Sequence, residues 1–206
     1  MDVFEAIKTR RTVRKFKSKD VSSEPLMKMI DAARWAPSAV NKQPWEFIVV
    51  NDKNTRRRIA ELYVNGYLRE AEELPKSEYA DHVDDPIQFK EKIEKMKDAL
   101  RAELEVPPIH IIVCADPAKS ESYEIDTAAA IQNMLLAAHA LGLGTAWIDL
   151  SNTILGKFFD KQALKNLLEI PNEIELMAII PVGYPDFVPS APPRRIMKDI
   201  IHRGMY

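Results

Sequence analysis

The stretch from Ala128 to Leu141 constrains this chain more than any other. It continues a helix predicted to begin at Tyr123, it is rich in alanine, and it is apolar around almost its whole circumference. Such a helix is stable only when covered on most sides. Crossing a bilayer takes about 20 consecutive apolar residues, and the uninterrupted apolar runs here fall far short, so no membrane span is expected and the cover must be protein. One face of a sheet covers only one side of a helix. Pairing with a second copy of the chain would account for the rest. Gly142 is placed to end the helix as a C-terminal cap.

The sheet is read from four apolar runs: Phe47 to Val50, Ile109 to Ala115, Gly144 to Leu150 and Ile174 to Val182. Helices separate them. Residues 2–9 place Val3, Phe4 and Ile7 on one side of a short helix. A second helix starts at Ser22 or Ser23, either of which can cap it, with Pro25 in its first turn. Leu26, Met29, Ile30 and Ala33 form its inward stripe, and Pro37 ends it. A charged helix runs from Lys53 to Tyr63, another is marked by Phe158, Phe159, Leu164, Leu167 and Leu168, and an amphipathic segment carries Ile196, Ile200 and Ile201. One sheet with helices on its faces follows. Periodicity alone leaves the strand directions open. No internal repeat is visible, so residues 1–206 are read as a single domain.

Residues 67–105 differ in kind. Nineteen of these 39 residues are Asp, Glu, Lys or Arg, which keeps the segment out of the core. Phe89, Ile93, Met96, Leu100 and Leu104 nevertheless recur at helical spacing, one narrow stripe on a polar helix. The pattern predicts a charged helical excursion or lid that lays one face on the body of the protein.

Several chemistries are poorly supported. With 29 basic against 31 acidic residues the net charge is −2, unlike a dedicated nucleic-acid binder. Cys114, the single cysteine, lies in an apolar run and reads as a small core residue. The four histidines, His82, His110, His139 and His202, lack ligand spacing, so no metal is expected. There is no nucleophile elbow, no Walker sequence and no dinucleotide fingerprint. The acidic start of the chain does not read as a signal peptide, and a cytoplasmic location is expected.

Four motifs remain. In Arg10-Arg11-Thr12-Val13-Arg14, an extended backbone places Arg10, Thr12 and Arg14 on one face, a receptor suited to a phosphate and a polar chain. Trp35 to Trp45 links a helix to a strand. Two prolines stiffen it, and Pro37, Ser38, Ala39, Asn41 and Gln43 offer backbone and amide groups to a planar ligand. In Leu141 to Asp149, Gly142 and Gly144 allow close backbone approach before Trp147, Ile148 and Asp149. The fourth is Pro192-Pro193-Arg194-Arg195. Taken singly, each fits ordinary turns or a solvated basic surface.

Together and in this order, the four resemble the FMN-dependent nitroreductase family, as does the Pro-Val-Gly-Tyr-Pro strand end at 181–185. The resemblance covers the chain except the excursion. It implies an α+β fold, with a central mixed or mostly antiparallel sheet flanked by helices, in an intertwined homodimer with two FMN sites at its interface. By position, Arg10 would meet the FMN phosphate, Thr12 the ribityl chain and Arg14 the pyrimidine edge, with Arg11 beside them. Arg194 and Arg195 would join the phosphate. Pro37, Ser38, Ala39, Asn41 and Gln43 would come from the partner subunit, and Trp147, Ile148 and Asp149 would pass the flavin ring. The implied activity is ping-pong hydride transfer from NAD(P)H through FMN to a small oxidant such as a nitroaromatic or quinone. Chemistry at flavin N5 requires no catalytic side chain. A flavin-binding dimeric protein without turnover, or a specialised flavin or dehalogenating reductase, shares the same motifs.

Overall fold

The computed structural model describes residues 1–206. Chain order runs α1 (Val3–Thr9), β1 (Lys15–Phe16), α2 (Ser23–Arg34), β2 (Trp45–Val50), α3 (Lys53–Glu73), α4 (Pro86–Glu105), β3 (Ile109–Ala115), α5 (Tyr123–Ala140), β4 (Gly144–Thr145), β5 (Ile148–Asp149), α6 (Ile154–Phe158), α7 (Lys161–Leu168), β6 (Glu175–Gly183) and β7 (Pro185–Phe187). The main sheet is ordered β2-β3-β6-β4, with β5 also on β6, and every strand pair is antiparallel. A lone parallel bridge between Thr12 and Thr145 makes the sheet mixed. β1 and β7 form a second two-stranded sheet, too short for any sequence pattern to reveal.

Alternation along β3 explains both layers. Ile111 and Val113 face one way, towards Leu26, Met29 and Ala33 of α2 and Ala130, Ile131 and Met134 of α5. Ile112 and Cys114 face the other way, towards Ile59 and Tyr63 of α3, Leu100 and Leu104 of α4, and Leu164 of α7. Buried on both faces, β3 reads as an apolar run interrupted only by His110.

Four expectations are corrected. The segment 67–105 does enter the core. α3 runs on to Glu73, α4 packs along it, and Ile93, Leu100 and Leu104 are buried. A narrow stripe suffices for burial, so a high charge count on the remaining faces does not forbid it. The run Gly144 to Leu150 is split into β4 and β5 at Ala146-Trp147. The register places this break opposite Ile180-Pro181, where proline has no N–H to offer a neighbour. Ser22 stands at the start of α2 but its side chain makes no capping bond. Ile196, Ile200 and Ile201 are exposed, and only residues 197–199 form a helical turn, because no surface of this chain lies against them.

His110 ties the two layers at one point. Its ring Nε2 donates to the Leu104 carbonyl at 2.6 Å, joining β3 to the end of α4, while Nδ1 is buried without a partner. Burial pushes its pKa down to about 3, with the Arg56 charge adding to the drop and the Leu104 bond opposing it. A group whose folded pKa lies below its unfolded value stabilises the fold above the unfolded pKa and withdraws that stability as pH falls. Below about pH 6.5 this residue should therefore cost about 1.4 kcal/mol per pH unit. Chemical unfolding between pH 7.5 and 4.5 should show a steeper acid loss for the wild type than for His110→Gln. Equal slopes would contradict this account.

Candidate functional site

The first motif lies at the C-terminal end of α5. Arg10 caps α1 through its backbone and is half-buried. Val13 turns inward, and its N–H donates to the Thr145 carbonyl at 2.9 Å. This close pairing needs Gly144, since a Cβ there would stand 2.9 Å from the Val13 side chain. Thr12 and Arg14 fall on the side opposite Val13, as extended backbone requires.

Arg194 comes back to this place from the far end of the chain. Burial, then the charges of Arg11 and Arg194, lower the Arg10 pKa, while no carboxylate pairs with any of the three. Arg11 directs Nη1 to the carbonyls of Lys8 and Arg10, both at 2.8 Å. His139, which sequence reasoning passed over, borders the same cluster. Burial and the charges of Arg10 and Arg11 hold its pKa below the usual imidazole range. The Thr9 hydroxyl donates to the Glu5 carbonyl and so accepts from His139 Nε2 at 2.7 Å. Cations gathered without an acid are stabilised by an anion.

Two predicted residues are engaged by other parts of the chain. Arg195 donates to the Asp199 carbonyl at 2.7 Å within its own tail. Arg14 brings Nε to 3.0 Å from Glu103 on α4. Glu103 could have been suspected, as the one acid beside Leu100 and Leu104 on the stripe of α4.

The break between β4 and β5 leaves donors free. Neither the Ala146 nor the Trp147 amide donates to a protein acceptor, and Trp147 Nε1 is buried without a partner. Ile148 packs into the α3 and α4 side of the core. The Asp149 carboxylate is occupied by the Ser151 amide at 2.8 Å and hydroxyl at 2.6 Å.

The second motif is strained. Val40, Asn41 and Gln43 adopt φ of 50°, 56° and 49°. Such non-glycine conformations cost of order 1 kcal/mol or more each, and persist only when neighbours enforce them. Buried Asp126, in the first turn of α5, accepts from the Ala39 amide at 3.0 Å and from the Ser120 hydroxyl at 2.8 Å. Ser38 Oγ accepts from the Gln43 amide at 3.0 Å. Pro37 stiffens the entry. Asp126 was missed as well: an acid in a helix's first turn ordinarily answers the helix dipole, and only the fold shows the loop it holds.

The loop and the arginine cluster stand at opposite ends of α5. Asp126 and His139 are separated by about 20 Å at 1.5 Å of rise per residue. Within a single chain the loop and the arginine cluster therefore do not meet.

Comparison with known proteins identifies the family. The chain is 34% identical over 189 residues to a candidate NADH dehydrogenase/NAD(P)H nitroreductase of Methanothermobacter thermautotrophicus, covering 90% of this chain and 78% of that protein. It superposes on an FMN-dependent nitroreductase from Clostridium difficile with a TM-score of 0.70 at 26% identity, covering 98% and 99% of the two chains. An iodotyrosine deiodinase bound to FMN and 3-iodo-L-tyrosine superposes over 100% of both chains with a TM-score of 0.76 at 25% identity. The Nitroreductase family model matches residues 7–184. The chain belongs to the nitroreductase family.

Proposed function

We propose that this protein is a homodimeric FMN-dependent oxidoreductase that takes hydride from NADH or NADPH and delivers it, by a ping-pong scheme, to a small oxidant such as a nitroaromatic or a quinone. The observation that carries the reading is the cluster of Arg10, Arg11 and Arg194 at the end of α5, none of which forms an ion pair with a carboxylate. Its charge suits a phosphate dianion. Thr12 supplies a hydroxyl for the ribityl chain. The free amides of Ala146 and Trp147, with Ile148 and Asp149 next to them, run where the ring would pass. Bound FMN supplies reversible two-electron chemistry at N5, which asks no proton transfer of a side chain. Arg14 contributes a permanent positive charge at the pyrimidine edge, where a cation raises the flavin's affinity for electrons. Arg195 completes the phosphate contacts by leaving its tail carbonyl.

The loop of Pro37, Ser38, Ala39, Asn41 and Gln43 serves the site of the second subunit, being held at the wrong end of α5 for its own. A dimer also accounts for Val3, Phe4, Ile7, Trp35, Val40 and Ile125, all more than half exposed on the single chain. The reading keeps residues 1–206 as one domain, with the charged 67–105 segment covering the substrate side as a lid. No helix is long and apolar enough to cross a membrane, and we place the enzyme in the cytoplasm. The full-length superposition on a deiodinase favours a second reading, reductive dehalogenation of a haloaromatic.

The purified protein should be yellow, or turn so with FMN. Anaerobic mixing with NADH or NADPH should bleach the flavin band, and nitro compounds, quinones or haloaromatics should restore it at different rates. A protein that takes up no FMN would refute the reading. Uptake without bleaching would leave a flavin-binding protein without turnover.

A further inference from the structure

α4 is charged on most of its surface, yet one acid lies on its buried side. Glu103 is 4% exposed, next to Leu104 in the same layer of the core. A buried carboxylate persists only when it is compensated. Two other elements compensate this one. Tyr63 of α3 donates its hydroxyl to Oε2 at 3.4 Å, and Arg14, just before β1, brings Nε to 3.0 Å from Oε1. Tyr67 stands edge-on to Tyr63, 5.1 Å between ring centroids, and closes the cluster. Burial pushes the Glu103 carboxyl up, while Arg14 and Tyr63 pull it down. Burial also pushes the Tyr63 hydroxyl far up, so it stays a neutral donor.

The details of the Arg14 contact matter. The Nε–H is not aimed along the short separation, so this is an ion pair, and Oε1 lacks a formed hydrogen bond. Only the Nε side of the guanidinium is engaged. The Nη pair touches no protein acceptor, and the side chain remains 57% exposed. Beside it opens a cleft of about 440 Å³ lined by Arg14, Phe16, Met96, Leu100, Glu103 and Asp186. A long cation next to a cleft would ordinarily sample many rotamers, and a ligand binding it must order it. A buried, immobile anion at Nε does part of that ordering beforehand.

We propose that Glu103 is the positioning residue for Arg14: it holds the guanidinium by its Nε side and leaves the Nη fork free for the planar, acceptor-rich pyrimidine edge of the flavin. The segment of highest charge density then reaches the cofactor site through a single side chain on its inner face. This inference rests on the flavin reading above, in which Arg14 meets that edge.

FMN titration of the apo-protein, followed by quenching of flavin fluorescence, tests it with Arg14→Ala, Glu103→Leu, Glu103→Gln and the double variant R14A/E103L. Arg14→Ala should weaken FMN about tenfold, the worth of a charge-assisted contact. Glu103→Leu removes the anion but keeps an apolar side chain in the core, and should weaken FMN about two- to tenfold, the cost of ordering one long side chain. Glu103→Gln keeps an acceptor and should restore most of the affinity. The double variant should bind no worse than Arg14→Ala, because both changes remove one interaction. Thermal melting of each apo form checks the fold, and Glu103→Ala replaces Glu103→Leu should the latter melt below assay temperature. Normal FMN affinity in Glu103→Leu, with a loss in Arg14→Ala, would overturn the positioning role and spare the flavin reading. Additive losses in the double variant would overturn it too. Normal affinity in Arg14→Ala would overturn both the placement of Arg14 at the pyrimidine edge and the positioning role, while FMN binding itself would stand.

Discussion

Replacing Arg10 by alanine is expected to weaken FMN binding at least tenfold and riboflavin binding far less. Each charge-assisted hydrogen bond to a phosphate is worth about 1.5–3 kcal/mol, or one to two decades of affinity. Riboflavin lacks the phosphate and keeps every other contact, so the contrast isolates that one interaction. The apo fold should survive. Arg10 caps α1 through its backbone, which the substitution leaves in place, and it makes no ion pair to lose. Its removal also relieves the repulsion from Arg11 and Arg194. Isothermal titration with both ligands, alongside melting of the apo-protein, measures this directly. Equal losses for FMN and riboflavin would place Arg10 on another part of the cofactor, and no loss for either would return the cluster to a solvated basic surface.

The double substitution Phe4→Glu, Ile7→Glu is expected to give a flavin-free monomer. These residues are 72% and 54% exposed on the chain, on one side of α1, which buries only Ala6. In the proposed dimer they are covered. Burying each is worth about 1.5–3 kcal/mol, so losing both should weaken association by at least about a hundredfold, before the cost of burying two carboxylates. Flavin should leave with the partner, because the loop from Pro37 to Gln43 would no longer reach the arginine cluster of the other copy. Sedimentation velocity read at the flavin band follows mass and cofactor together. A variant that remains dimeric and yellow would show that α1 lies outside the interface, and a wild-type protein that sediments as a flavin-loaded monomer would remove the dimer altogether.

The sequence was most legible where local chemistry and burial agree. β3 could be read as Ile109 to Ala115 because both of its faces are covered, so six of its seven residues are apolar, His110 being the exception. α5 was visible because an alanine-rich run ends in Gly142, whose φ of 78° favours glycine. Legibility failed where a partner distant in the chain decides. The stripe of Ile93, Leu100 and Leu104 was legible, but the charge of residues 67–105 argued against its entering the core, since composition averages all faces and the core sees only one. The split at Ala146-Trp147 has its counterpart in Pro181 on another strand, beyond any local window.

The sequence by itself determined the longer elements, the sheet with helices on its faces and the family, because periodicity and short motifs are properties of neighbouring residues. Only the tertiary structure decided which motifs meet. It brings Arg194 to Arg10, turns Arg14 to Glu103 and Arg195 to Asp199, and uses Asp126 to hold the strained loop at the far end of α5 from the arginines. Apart from Arg195 and Asp199, four positions apart, those pairings join residues 87 to 184 positions apart. Chain connectivity places no local signature on such contacts; they arise when burial of two apolar faces against one sheet sets where each loop ends, and charge then settles among the few partners left within reach.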